Sequence, residues 1–459
     1  MQSAEARAAL LRDYYAGPVL PGAPAWPLIQ ALGASWPPSI EALAQDELAA
    51  ALLQTTPIYP IGLERALTAV RRRLLLEGVS DAAIPLVANL AIQGHLNEYA
   101  WATTPEEQAR IAELIARLET LGPVEVMLVA AYAPLRLLPG AEALTQRRWT
   151  GPVAQILAEQ VAAPAEEARL AAQIEALTPI EGAVSKAVRG QYEANPFPRW
   201  RTPARPDPAT AIYGIPVPAA PQVLIAGCGT GYQAIIAAQR FPAGQVTALD
   251  LSRASLAYGQ RKARELGLAN IGFHQADLLQ IGAMPWRFDI IESTGVLHHM
   301  DDPFAGARAV CALLKPGGLM KFALYSAAAR AALKPAKALG RRFTPQQIPQ
   351  FRQAIAAAPE GDPVREPLRF IDFYATSPCR DLLMHVQEHE LGIADIGRIL
   401  DENGLDLVAL AVPEAVSQAY AAMFPDDPAM TDLEHWQTFE TRHPTTFSEM
   451  YQFWTRKRG

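Results

Sequence analysis

"VLIAGCGTGYQAIIAAQRF", residues Val223 to Phe241, reads as an apolar strand, a glycine turn and a helix in immediate succession. Gly227, Gly229 and Gly231 alternate directly after the apolar run, so the backbone can turn sharply there and approach a ligand without a Cβ in the way. The helix that follows presents free N–H groups at its start. The theme repeats downstream: "GQVTALDLS" from Gly244, "IGFHQADLL" from Ile271 and "FDIIESTGVL" from Phe288 are further strands leading into turns. Strands that alternate with helices predict a parallel, doubly wound sheet with its ligand at the carboxyl ends of the strands. The same glycines also spell the dinucleotide pattern G-x-G-x-x-A through Gly229, Gly231 and Ala234. Asp250, 19 residues after Gly231, suits a ribose diol under either reading.

The rest of the chain limits what this unit can serve. With 459 residues and 50% apolar content there is material for two or three domains. The net charge of −7 offers no basic field for a phosphate backbone, so nucleic acid is not an expected partner. The opening "MQSAEARAALLRDYY" has early acids and no cleavable apolar core, and no uncharged apolar run reaches about 18 residues, which predicts a cytoplasmic chain off the membrane. Cys228, Cys311 and Cys379 are scattered and odd in number, as reduced thiols are.

Residues 1–190 read as an all-α N-terminal domain, with apolar residues at helical spacing such as Leu63, Ala66, Leu67 and Val70, or Ile111, Leu114, Ile115 and Leu118. "TTPEEQARIAEL" supplies a threonine cap, a first-turn proline and two early glutamates, a strong start signal. No fixed repeat period emerges across this half. Residues 191–220 form a proline-dense lid or linker, with eight prolines between Pro196 and Pro221. A cofactor-binding core is expected over 221–326, a basic helical insertion over 327–367, and completion of the sheet plus a C-terminal tail over 368–459.

In their order and approximate spacing, "VLIAGCGTG", the strand-end acid of "TALD", "QADLL", "FDIIESTGVLHHM" and "LKPGG" resemble the Rossmann-like class I S-adenosylmethionine-dependent methyltransferases. That resemblance spans about 100 residues and implies S-adenosyl-L-methionine as cofactor. By it, Gly227, Cys228, Gly229, Thr230 and Gly231 line the methionine portion, Asp250 takes the ribose hydroxyls and Asp277 the adenine amino group. Leu251, Ala276 and Leu278 would flank the adenine, and Thr294 would also contact the cofactor. The family often carries an acid two residues before the first glycine; here that position is Ile225.

Methyl transfer is an in-line displacement, so alignment of the acceptor matters most, with a base needed only for a protonated acceptor. "IEST" ends its strand without the Asn/Asp-Pro-Pro-aromatic signature of enzymes that methylate base amines. His298 and His299 follow on the loop beside the sulfur and are candidate proton handlers. "HVQEH", residues 385–389, spells the inverted zinc-protease pattern, but Gly392 leaves little room for the helix a metal would need, and no metal is expected. Arg380, Asp381, His385 and His389 are instead expected to line the acceptor pocket or to form a polar contact between insertion and sheet. "QYEANPFPRW", from Gln191 to Trp200, resembles the segment found before the methyltransferase domain in bacterial proteins with helical, tetratricopeptide-like N-terminal regions. Tyr192 and Asn195 are expected to approach the sulfonium or the acceptor while Pro196 and Pro198 fix the path of the lid. The size of the helical half points to a protein or peptide acceptor, and the acidic chain would attract a basic target. The competing expectation is a small-molecule acceptor, with the helices serving a lid or a homodimer. A non-catalytic cofactor-binding scaffold is the third.

Overall fold

The computed structural model describes residues 25–34, 36–447 and 450–459. The opening stretch used for the targeting expectation lies outside them. Two compact units emerge: a helical one, comprising the described residues up to Arg169 with Pro198–Arg205 and Pro335–Met384, and an α/β one of Leu170–Phe197, Pro206–Lys334 and His385–Gly459.

In the helical unit, α1 (Ile61–Leu76), α2 (Ile84–Leu96), α3 (Pro105–Ile115) and α4 (Pro123–Ala130) surround one apolar core. The spacing read from the sequence is the buried face: Leu63, Leu67, Ile111 and Leu114 are all in that core. Leu118 joins it from a separate 3-10 turn, because α3 stops at Ile115. α3 starts where expected, with a complete capping box: Thr104 Oγ1 accepts from the Glu107 N–H and Glu107 accepts from the Thr104 N–H at 2.7 Å.

The α/β unit is built on a seven-stranded sheet in the order β5-β4-β3-β6-β7-β9-β8. Its members are β3 (Gln222–Ala226), β4 (Gln245–Asp250), β5 (Ile271–Gln275), β6 (Phe288–Thr294), β7 (Leu314–Tyr325), β8 (Leu405–Leu410) and β9 (Met450–Lys457). Val223 to Ala226 are buried on both faces, as a central parallel strand requires. β3 to β7 run parallel, but β9 is antiparallel to both β7 and β8, so the sheet is mixed rather than wholly parallel. The aromatic tail supplies this strand: Tyr451 and Phe453 are fully buried in β9, which lies between β7 and β8. A two-stranded hairpin, β1 (Ala211–Ile212) with β2 (Ile215–Pro216), occupies the proline-dense connector.

The helices of this unit include α5 (Ala183–Ala194), α6 (Tyr232–Arg240), α7 (Arg253–Glu265), α8 (Pro303–Cys311) and α9 (Ile393–Asn403). The chain ahead of α5 adds a short pairing to the free edge of β5: Gln275 donates to the Glu175 carbonyl and accepts from the Leu177 N–H at 2.8 Å. The three cysteines are free and buried. No described helix is long and apolar enough to cross a membrane.

Candidate donor and acceptor site

The three glycines of the loop after β3 all have positive φ, between 52° and 82°, a region that side chains with a Cβ rarely adopt. At Gly227 a Cβ would lie 2.3 Å from Val296 Cγ2, so this loop and the one after β6 can touch only through a glycine. The loop N–H groups are spent inside the protein: Gly227 and Cys228 donate to the Leu249 carbonyl, Gly229 to Asp250, Thr230 to the Phe197 carbonyl and Gly231 to the Cys228 carbonyl. A pyrophosphate needs such donors unpaired. The Gly229 N–H is held by the Asp250 carboxylate at 2.8 Å.

Asp250 stands at the end of β4, and its other oxygen accepts from the Ser252 N–H at 2.9 Å. Burial pushes its pKa up to about 6; the backbone donors pull the other way and the Glu193 charge adds to the rise. The same burial, with the Asp250 charge, holds the Cys228 thiol well above its ordinary value, so Cys228 stays neutral. After β5, Asp277 is buried; its N–H donates to Thr178 Oγ1 at 2.7 Å and one carboxylate oxygen accepts from Leu279. Ala276 and Leu278 are core residues beside it, and Leu251 is half-buried after Asp250. Thr294 ends β6 with Ser293, and the hydroxyl oxygens of both are buried.

His298 and His299 share a 3-10 turn after β6 and are both buried. The two rings differ in which nitrogen carries the proton. His298 Nδ1 accepts from the Tyr325 N–H at 3.2 Å, which puts the proton of the neutral ring on Nε2. Burial, reinforced by the neighbouring His299, drives the His298 pKa well below its usual value. His299 Nδ1 faces the Gln387 carbonyl at 2.8 Å; a carbonyl only accepts, so the proton sits on Nδ1 and the basic lone pair on Nε2. His385 stacks on His299 with ring centroids 3.6 Å apart. Its Nδ1 accepts from the Gln387 N–H, so Nε2 donates to the Tyr192 hydroxyl oxygen at 3.2 Å.

The sequence-derived candidates therefore separate into groups. Tyr192, His298, His299, His385 and His389 come together; His389 is tied in through its N–H to the His298 carbonyl at 2.7 Å. Asn195 sits at the C-terminal end of α5. Arg380 lies in the helix Thr376–Met384 of the helical unit. The H-x-x-E-H spelling does not form a helix: residues 385–390 are extended or bent, and Glu388 is taken up by Arg330, which binds it with two donors at 3.2 and 3.0 Å.

Sequence reasoning missed the other half of this assembly. The Tyr325 ring, at the end of β7, is sandwiched between His298 (3.8 Å) and the Arg330 guanidinium (3.5 Å). Its position at a strand's carboxyl end was the available signal. Glu193, inside the lid segment, is the second omission: it accepts from the Arg253 N–H at 2.7 Å and the Ala254 N–H at 3.3 Å.

Glycine loop, strand-end carboxylates and mixed seven-stranded sheet give the α/β unit the Rossmann-like fold of class I methyltransferases. Comparison with known proteins agrees at this level, since residues 223–318 match the family model described as a methyltransferase domain. An uncharacterised protein of Synechococcus sp. is 28% identical over 253 residues, covering 50% of this chain and 60% of that protein. A trans-aconitate 2-methyltransferase of Deinococcus radiodurans is 35% identical over 119 residues, 26% of this chain and 43% of its own length. The chain thus spans less than two thirds of either relative. Among solved structures, PKMT2 from Rickettsia typhi in complex with AdoHcy is 14% identical, covers 61% of this chain and 54% of its own, and superposes with a TM-score of 0.40.

Proposed function

We propose that the chain transfers the methyl group of S-adenosylmethionine to a protein or peptide acceptor by in-line displacement. The observation that carries the donor half is the glycine loop whose N–H groups are all spent inside the protein, which leaves none for a pyrophosphate, beside an Asp250 carboxylate that can accept from ribose hydroxyls. When bound, the cofactor supplies a methyl group on a positively charged sulfur. The chain's own residues do the rest. Asp250 grips the ribose and Asp277 the adenine amino group, while Thr294 and the glycines shape the methionine end.

On the acceptor side, the lone pair of His298 is held by a backbone N–H, which favours His299 of the pair as the handler of the acceptor's proton. His385 orients Tyr192, whose hydroxyl then has a proton to donate toward the acceptor. The helical region before the domain supports a macromolecular acceptor and fits the tetratricopeptide-like group of bacterial methyltransferases. That unit carries a groove of about 820 Å³ lined by Arg65, Arg72, Leu76, Thr103 and Gln353 among others, which suits an extended peptide.

A small-molecule acceptor is the second reading, favoured by the trans-aconitate methyltransferase resemblance and by others named as ubiquinone biosynthesis O-methyltransferases. Calorimetry with S-adenosylhomocysteine and with NAD tests the donor: tight binding of the first and none of the second is expected. Transfer of a labelled methyl group into a cell extract then separates the acceptors. Label confined to the small-molecule fraction would overturn the protein reading.

A further inference from the structure

Within seven residues, Gln191 to Phe197 touches both sides of the site. Gln191 Oε1 accepts from the Val386 N–H at 3.3 Å and the Tyr192 hydroxyl meets His385, both on the acceptor side. The Phe197 carbonyl accepts from Thr230 in the glycine loop, on the donor side. Glu193 lies between these two sets of contacts. Its two oxygens take the first two N–H groups of α7, and the third goes to Ser252 Oγ at 3.1 Å. α7 begins three residues after Asp250, so its cap and the ribose carboxylate share one turn of chain: Asp250 accepts from Ser252, and Ser252 caps the helix that Glu193 also caps.

We infer that Glu193 is a positioning residue that couples the two halves of the site, seating the Tyr192 lid only when the Asp250 turn is in its donor-binding form. The inference rests on the methyltransferase reading above. Two physical features support it. Glu193 is exposed, so it adds little to the core, and two in-register N–H bonds at a helix start are geometrically demanding.

The test is calorimetric binding of S-adenosylhomocysteine to the full chain and to Glu193→Ala and Glu193→Gln, combined with hydrogen exchange over residues 183–197. Loss of the cap should weaken binding about three- to tenfold in Glu193→Ala. The amide of Glu193→Gln accepts only one of the two N–H groups and should fall between. Bound ligand should protect the 183–197 amides in the wild type and markedly less in Glu193→Ala, with the melting temperature of the free protein lowered by no more than a few degrees. Equal affinities and equal protection in all three proteins would overturn the coupling while leaving the methyltransferase reading intact. Failure of the wild type to bind would instead remove both.

Discussion

At the scale of single residues, burial displaces the proton affinities of Asp250 and His298 in opposite directions. Asp250 has its pKa raised to about 6 by burial, so in the free protein it holds a proton that the unfolded chain has already lost between about pH 4 and 6. Folding stability therefore falls as pH rises through that window. Ligand affinity moves the opposite way, because ribose hydroxyls are donors and need the ionised carboxylate. Affinity for S-adenosylhomocysteine should drop about tenfold per pH unit below 6, and Asp250→Asn should bind weakly with no such slope, as measured by titration calorimetry from pH 5 to 8. His298 is buried neutral, its pKa well below 6.5, so its contribution to stability is full above the unfolded value and is lost as pH falls through 6.5. In the proposed reaction it is a fixed ring, and His299 is the residue assigned to the acceptor's proton. His299→Gln should lower kcat by about 10²- to 10⁴-fold with an unchanged donor dissociation constant, readable by single-turnover methyl transfer. The residue identities were visible in "GVLHHM", but the tautomers were not, since they depend on carbonyl and N–H partners tens of residues away.

At the scale of elements, the loops after β3 and β6 meet at Gly227 and Val296. A methyl group at 227 would strike Val296 Cγ2 at 2.3 Å, and φ there is +79°, a conformation that costs a residue with a Cβ about 1–2 kcal/mol. Val296 starts the turn that holds His299, so Gly227→Ala should depress kcat more than it weakens donor binding. Adding Val296→Ala should recover part of kcat by removing the clash; steady-state kinetics of the single and double variants would check this. The glycine requirement was legible in the sequence, while the partner that enforces it was not. The antiparallel course of β9 was likewise hidden: alternation of apolar residues in "MYQFWTRK" fits a strand of either direction, and only the route of the preceding chain selects one.

At the scale of the whole molecule, each unit is assembled from three separated stretches of chain. Within the helical unit, Arg352 shows how the late stretch is held. It is buried, pairs with Glu64 at 2.6 Å across 288 residues of sequence, and donates to the Ala100 and Phe373 carbonyls. Removing one partner strands a buried charge, so Arg352→Leu should destabilise this unit by about 3–5 kcal/mol. The paired replacement with Glu64→Leu should recover much of the loss. Urea unfolding followed by hydrogen exchange in α1 would read both.

The sequence alone determined the local events: where helices start, where glycine must stand, which strand ends carry acids, and the Rossmann-like order of elements. These follow from propensity, capping and periodicity, which act over a few residues. Tertiary structure alone decided that Pro335–Met384 belongs with the N-terminal helices, that β9 runs backward, that Tyr325 and Arg330 complete the histidine cluster, and that Glu193 caps a helix 60 residues away. Those outcomes depend on which distant groups meet once apolar surface is buried, and burial is set by the packing of the whole unit, not by neighbours along the chain.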